Sequence, residues 1–139
     1  MASFKDYAEA ASENLQKVLA KLPSGSTLSR LSDLELAGVA ALIHNFYNGI
    51  ENILKQAVRE KGSKLPQGNT WHRDLVELAL TQGIISKKTS EALKGYLAFR
   101  HFFSHAYAIE LDPARIAPLV EGANSVFKSL QHDIEKMSA

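Results

Sequence analysis

Apolar side chains recur along this chain every three or four residues, in runs separated by short clusters of Pro, Gly, Ser and Asn. Phe4, Tyr7, Ala8, Ala11, Leu15, Val18, Leu19 and Leu22 share one helix face, with Ser3 placed as N-cap, and Pro23-Ser24-Gly25-Ser26 ends the run. A second helix opens at Ser32-Asp33-Leu34-Glu35, which has the Ser-X-X-Glu form of a capping box, and its pattern continues to about Lys61. At about 1.5 Å per residue it is roughly 43 Å long, enough for the spine of a bundle. Asn48-Gly49 in its middle is locally unfavourable, since glycine costs about 1 kcal/mol against alanine there. Gly49 therefore predicts close approach of another helix or a bend.

Gly62 to Thr70 reads as a loop. Asn69 or Thr70 then caps a short helix from Trp71 to about Gln82, with Trp71, Leu75, Leu78 and Ala79 as its stripe. Gly83-Ile84-Ile85-Ser86 breaks the pattern before a fourth helix. Asp112-Pro113, an N-cap and first-turn pair, opens the last one, which runs to about Met137. Its buried face is Ile116, Leu119, Val120, Ala123, Val126, Phe127, Leu130 and Ile134, and Pro118 in the second turn predicts a small kink or a late start. No strand pattern or internal repeat is present. Four long helices and one short one predict an all-α up-and-down four-helix bundle with an additional short helix, residues 1–139 forming one domain.

Composition narrows the class. Hydrophobic residues make up 45% of the 139 positions and charged residues 22%, the balance of a globular protein with one core. The chain has no cysteine, which excludes disulfides and thiolate metal sites and fits a reducing, cytoplasmic setting. Met1-Ala2-Ser3-Phe4-Lys5-Asp6 shows no signal-peptide pattern, and no stretch is apolar enough for a bilayer span, so no membrane association is expected. A net charge of +1 gives no general attraction for nucleic acid, so any RNA binding requires a local concentration of positive charge.

Candidate chemistry converges on residues 97–107. With Arg100 at zero on an ideal helix, Leu93, Tyr96, Leu97, Phe103 and Tyr107 fall within roughly 60° of it, and Phe99, Phe102 and Ala106 widen the apolar arc. A guanidinium is rarely left in such a sector unless it is paired or reaches an interface or cleft. His105 lies about 140° from Arg100, and Tyr107 within about 20°. For the three to act together, the helix must end or distort near Ser104, or the site must be shared with a second copy. The Asp112-Pro113 start favours an early end, with His105 and Tyr107 in the last turn, where the helix dipole favours a protonated imidazole.

Arg100, His105 and Tyr107 form an Arg-X4-His-X-Tyr pattern. Asn45-Phe46-Tyr47-Asn48-Gly49-Ile50-Glu51 on the second helix, Trp71-His72-Arg73-Asp74-Leu75 opening the third, and Phe99-Arg100-His101 precede it in order. On these segments the chain resembles the HepT-like toxins, a branch of the HEPN superfamily of small helical ribonucleases, over nearly its whole length. The resemblance implies a HEPN-like bundle and a homodimer bringing two signatures together. It implies metal-independent endoribonuclease activity through 2′-OH attack, with Arg100 and His105 at the catalytic centre. It also implies a toxin-antitoxin pair in which a partner nucleotidyltransferase of the minimal MNT type inactivates the toxin by adenylylating Tyr107.

The residue types suit that chemistry. RNA cleavage without a metal needs a proton acceptor, a proton donor and positive charge on the crowded phosphate. Histidine titrates near neutrality, and arginine stays charged and offers phosphate a planar fork. A phenol, with a pKa of about 10, is a poor base, but an adenylyl group on Tyr107 would neutralise Arg100 and block RNA. No metal-ligand spacing, glycine-rich phosphate loop or serine-nucleophile motif stands out, so no metal and no cofactor are expected.

Each residue also has a plain reading. Arg100 could pair with an acidic residue such as Glu51, His105 could satisfy helix-end carbonyls, and Tyr107 could be core with its hydroxyl at the surface. His101 is a possible RNA contact or an exposed flank, and His72 suits hydrogen bonding near a helix cap. His44 and His132 receive no role. Lys87-Lys88 reads as a solvated helix start. The alternative function is a non-enzymatic module that docks on a nucleotidyltransferase and binds nucleotide or phosphate.

Overall fold

A computed structural model describes residues 3–105 and 111–138, the side chains of His105 and Ser138 excepted. The described residues form α1 (Phe4–Lys21), α2 (Asp33–Glu60), α3 (Trp71–Thr81), α4 (Lys87–His105) and α5 (Pro113–Ser138), with a 3₁₀ turn at Gly25–Arg30. No strand occurs among them. None of these helices is long and apolar enough to cross a membrane.

Short polar side chains set the helix starts. Ser3 and Ser32 each close a capping box, with Asp6 and Glu35 respectively, an arrangement in which the cap alone contributes about 1 kcal/mol. The Asp112 carboxylate accepts from the Ala114 amide at 3.0 Å, and the Ser86 hydroxyl from the Thr89 amide at 3.2 Å. Thr70 occupies the N-cap position of α3 but does not cap it. Its hydroxyl donates instead to the Asp74 carboxylate at 2.9 Å.

α2 is the spine. Its fully buried Ile43, Phe46, Ile50, Leu54 and Ala57 lie in the common core, and it packs against α1, α3, α4 and α5. α1, α2, α4 and α5 form the up-and-down bundle that the periodicity predicts, and short α3 lies on α2 and α4. Gly49 is a close approach: a Cβ there would come within 2.5 Å of the Leu15 side chain of α1. α5 starts at Pro113 and keeps Pro118 inside it. Leu119, expected on its buried face, is only half-buried, while the other seven residues of that face are buried.

The 3₁₀ turn was not visible in the pattern, because a single buried side chain, that of Leu28, fixes it. It packs on α5. A second anchor joins the start of α4 to α5. There Asp133 Oδ2 accepts from the Ser86 amide at 3.0 Å and from the Ser86 and Thr89 hydroxyls at 3.3 and 2.5 Å.

Candidate functional site

Arg100 reaches the middle of the bundle rather than its rim. Leu93, Tyr96 and Phe99 on the same helix are buried, and their packing carries the guanidinium toward α2. There Arg100 Nε lies 3.8 Å from Oε1 of Glu51, with the Arg100 side chain 25% exposed. At that separation the two groups form an ion pair without a hydrogen bond, and Nε is buried with no hydrogen-bond partner. The pairing with Glu51 that the plain reading allows is therefore present, and it leaves a donor unmet.

Glu51 is itself almost fully buried. Its carboxylate meets a third helix through His72, the second residue of α3, whose Nδ1 lies 2.9 Å from Oε1 and 2.8 Å from Oε2. His72 thus bonds across the bundle instead of serving its own helix start. The Trp71 ring lies 3.5 Å from the imidazole, centroid to centroid, and Lys55 Nζ sits 4.3 Å from the Trp71 ring centre.

α2 supplies two further groups. The Tyr47 hydroxyl is buried with no hydrogen-bond partner, and burial, followed by the Glu51 charge, pushes the phenol well above its ordinary range against the opposing effect of Arg100. The His44 ring lies 5.1 Å from that of Phe103, tilted by 39°. Burial and then the Arg100 charge lower its pKa, with Glu51 acting the other way. A ring so placed is largely neutral near pH 7.

Arg100 also lines an open groove of about 640 Å³ between α3 and α4. His72 and Arg73 stand on one wall and Lys94 and His101 on the other, with Glu77 as the one acidic residue among its lining. Arg73, Lys94 and His101 are exposed. Lys94 pairs with Glu91 at 3.0 Å and Arg73 lies 3.9 Å from Asp74, so these cations gather at the groove with part of their charge balanced by acidic neighbours.

Of the sequence-predicted residues, the structure brings Arg100 and His101 to this groove. α4 is helical through Ser104 to His105, the last described residue before 106–110, so the helix end expected near Ser104 falls at the border of the described residues. The Ser104 hydroxyl simply donates to the Arg100 carbonyl at 2.9 Å. The side chain of His105, and Ala106 and Tyr107 entirely, lie outside the described residues. Lys87 and Lys88 are exposed at the start of α4. Among the described residues no group of His, Asp and Glu is arranged to hold a metal ion.

The pattern missed the link from Glu51 to His72. A signal for half of it existed: Glu51 follows Tyr47 by four residues and precedes Leu54 by three, so it is a carboxylate inside the apolar stripe of α2. The argument that singled out Arg100 applies equally to Glu51.

Compared with known proteins, residues 38–139 match a family model described as HepT-like protein. The matched region includes Glu51, His72, Arg100 and His105. No curated protein and no solved structure matches the chain.

Proposed function

The chain belongs to the HepT-like family, within the HEPN superfamily, and from that premise we propose that it is the toxin of a HEPN/MNT toxin-antitoxin pair, acting as a metal-independent endoribonuclease. One observation carries the reading. The signature arginine lines an open groove with its side chain 25% exposed, beside Arg73 and Lys94. A phosphodiester is the kind of ligand that the exposed part of that side chain would hold.

In the proposed reaction the ribose 2′-oxygen loses its proton and bonds to phosphorus. The bond to the 5′-oxygen breaks, and that oxygen takes up a proton. The products are a 2′,3′-cyclic phosphate and a 5′-hydroxyl. Arg100 stabilises the charge that builds on the phosphoryl oxygens, and His105 moves a proton. Two copies of the chain pair their signatures, which places His105 of one beside Arg100 of the other. Adenylylation of Tyr107 by the partner nucleotidyltransferase closes the site with a phosphate and a bulky nucleoside.

The test is cleavage of a labelled cellular RNA pool in EDTA by chain made without any partner, alongside Arg100→Ala and His105→Ala, with intact mass confirming that Tyr107 is unmodified. The parent is expected to leave 2′,3′-cyclic phosphate ends and each variant to lose on the order of 100-fold or more in rate. An unmodified parent that cleaves nothing, yet holds nucleotide in the groove, would support the docking-module reading instead.

A further inference from the structure

The sector of α4 that carries Arg100 is not the one that carries His105, since the two are about 140° apart on an ideal helix. An imidazole nevertheless stands in Arg100's own groove. His72 lines it, and its Nδ1 meets both oxygens of Glu51 at 2.9 and 2.8 Å. Arg100 Nε is 3.8 Å from one of those oxygens. The three side chains come from three helices and meet on one buried carboxylate.

An ionised carboxylate only accepts hydrogen bonds, so Nδ1 of His72 carries the proton. In the neutral ring Nε2 then holds the lone pair, and it has no partner among the described residues. The Glu51 carboxylate and the Trp71 ring hold the imidazole in place, while the His72 side chain keeps 19% of its surface exposed. This is an oriented base with its acceptor nitrogen left for a ligand, an arrangement in which the carboxylate also steadies the imidazolium once it forms.

From this geometry we infer that His72 is the general base of the proposed cleavage, an inference that rests on the ribonuclease reading. Nε2 of His72 takes the 2′-OH proton as the 2′-oxygen bonds to phosphorus. The leaving 5′-oxygen receives its proton from a second group, His105 of the signature. The Glu51 carboxylate that orients the ring also faces the positive charge that the imidazole gains when it takes the proton. Arg100 apart, the other titratable groups lining the groove, Arg73 and Glu77 on α3 and Lys94 and His101 on α4, are exposed, whereas His72 is held by a buried carboxylate.

Two substrates test the assignment: an RNA oligonucleotide with an ordinary scissile linkage, and the same oligonucleotide with sulfur in place of the bridging 5′-oxygen. Sulfur leaves without needing a proton. His72→Asn keeps an N–H donor toward Glu51 and removes Nε2, so a role limited to holding Glu51 would survive it. The variant is expected to lose on the order of 100- to 10,000-fold on both substrates. Added imidazole should restore part of the activity of His72→Ala. His105→Ala should fail on the oxygen substrate and recover on the sulfur one.

The inference is overturned if His72→Asn cleaves as fast as the parent, or if the sulfur substrate rescues it as it rescues His105→Ala. A parent that cleaves neither substrate overturns the ribonuclease reading itself, which is a separate outcome. Thermal melting establishes that each variant folds, and imidazole rescue of His72→Ala carries the test if the asparagine variant does not.

Discussion

Among the described residues two carboxylates, Glu51 and Asp133, are buried, and their surroundings are opposite in kind. Asp133 on α5 accepts from one backbone amide and two hydroxyls, all neutral and all from the start of α4. Glu51 on α2 faces an imidazole and a guanidinium from two other helices, and beside it Arg100 Nε and the Tyr47 hydroxyl have no hydrogen-bond partner. The Asp133 cluster is complete without a ligand. The Glu51 cluster is incomplete, and it is the one that borders an open groove. A buried polar group left unmet costs about 1–3 kcal/mol. Unmet donors beside a groove, rather than buried polarity as such, are what distinguish the candidate site from an anchor.

Substituting the two carboxylates gives the sharpest form of that contrast. Asp133→Ala leaves the Ser86 amide without its acceptor, while the Thr89 hydroxyl keeps Ser129 Oγ at 2.6 Å, at an expected cost of roughly 2 kcal/mol in urea unfolding. Its folded fraction should cleave RNA like the parent. Glu51→Gln keeps the volume and one acceptor for His72, and Arg100 retains access to solvent, so the expected loss of stability is only about 1–2 kcal/mol. Its cleavage should fall on the order of 100-fold, because the amide no longer supports the charged imidazole. If both variants lose stability and activity in step, the two clusters do the same job and the distinction fails.

The helices were legible because their information is local. Capping boxes at Ser3 and Ser32, the Asp112-Pro113 start and the three-and-four spacing each act within one turn or one face, and each marks its helix. Gly49 was legible too, as a glycine placed where a neighbouring helix needs room. What stayed hidden depends on tertiary contacts. The 3₁₀ turn rests on one side chain, Leu28, buried at the turn that packs on α5. His72 looks like a cap residue until α2 brings Glu51 across to it. Arg100 stood out because it breaks an apolar stripe, and Glu51 breaks one in the same way; their meeting is a property of the bundle.

A smaller effect is expected from Tyr47→Phe. The hydroxyl it removes is buried without a hydrogen bond and close enough to Glu51 for the carboxylate to disfavour its ionisation. Removing an unsatisfied group should leave stability unchanged or raise it by up to about 1 kcal/mol. A loss of more than about 1 kcal/mol in urea unfolding would mean that the hydroxyl satisfies Glu51. The carboxylate would then be as fully partnered as Asp133, and the comparison would break at that point.

The smallest expected effect is a dependence of stability on pH that originates at the Glu51 end. Burial first, and the Arg100 charge second, hold His44 below its ordinary pKa of about 6.5, while Glu51 partly opposes them. In the interval between the lowered value and 6.5, the unfolded chain binds more protons than the folded one, so stability rises with pH across that window. The contribution is fully present above the ordinary value and is lost as pH falls from there toward the folded value. Urea unfolding at a series of pH values, parent against His44→Gln, isolates the effect from the other histidines. The parent curve should fall more steeply than the variant's as the solution is acidified. If the two curves are parallel, neither burial nor the Arg100 charge shifts His44 in the folded protein, and the ring does not belong to the electrostatics of the site.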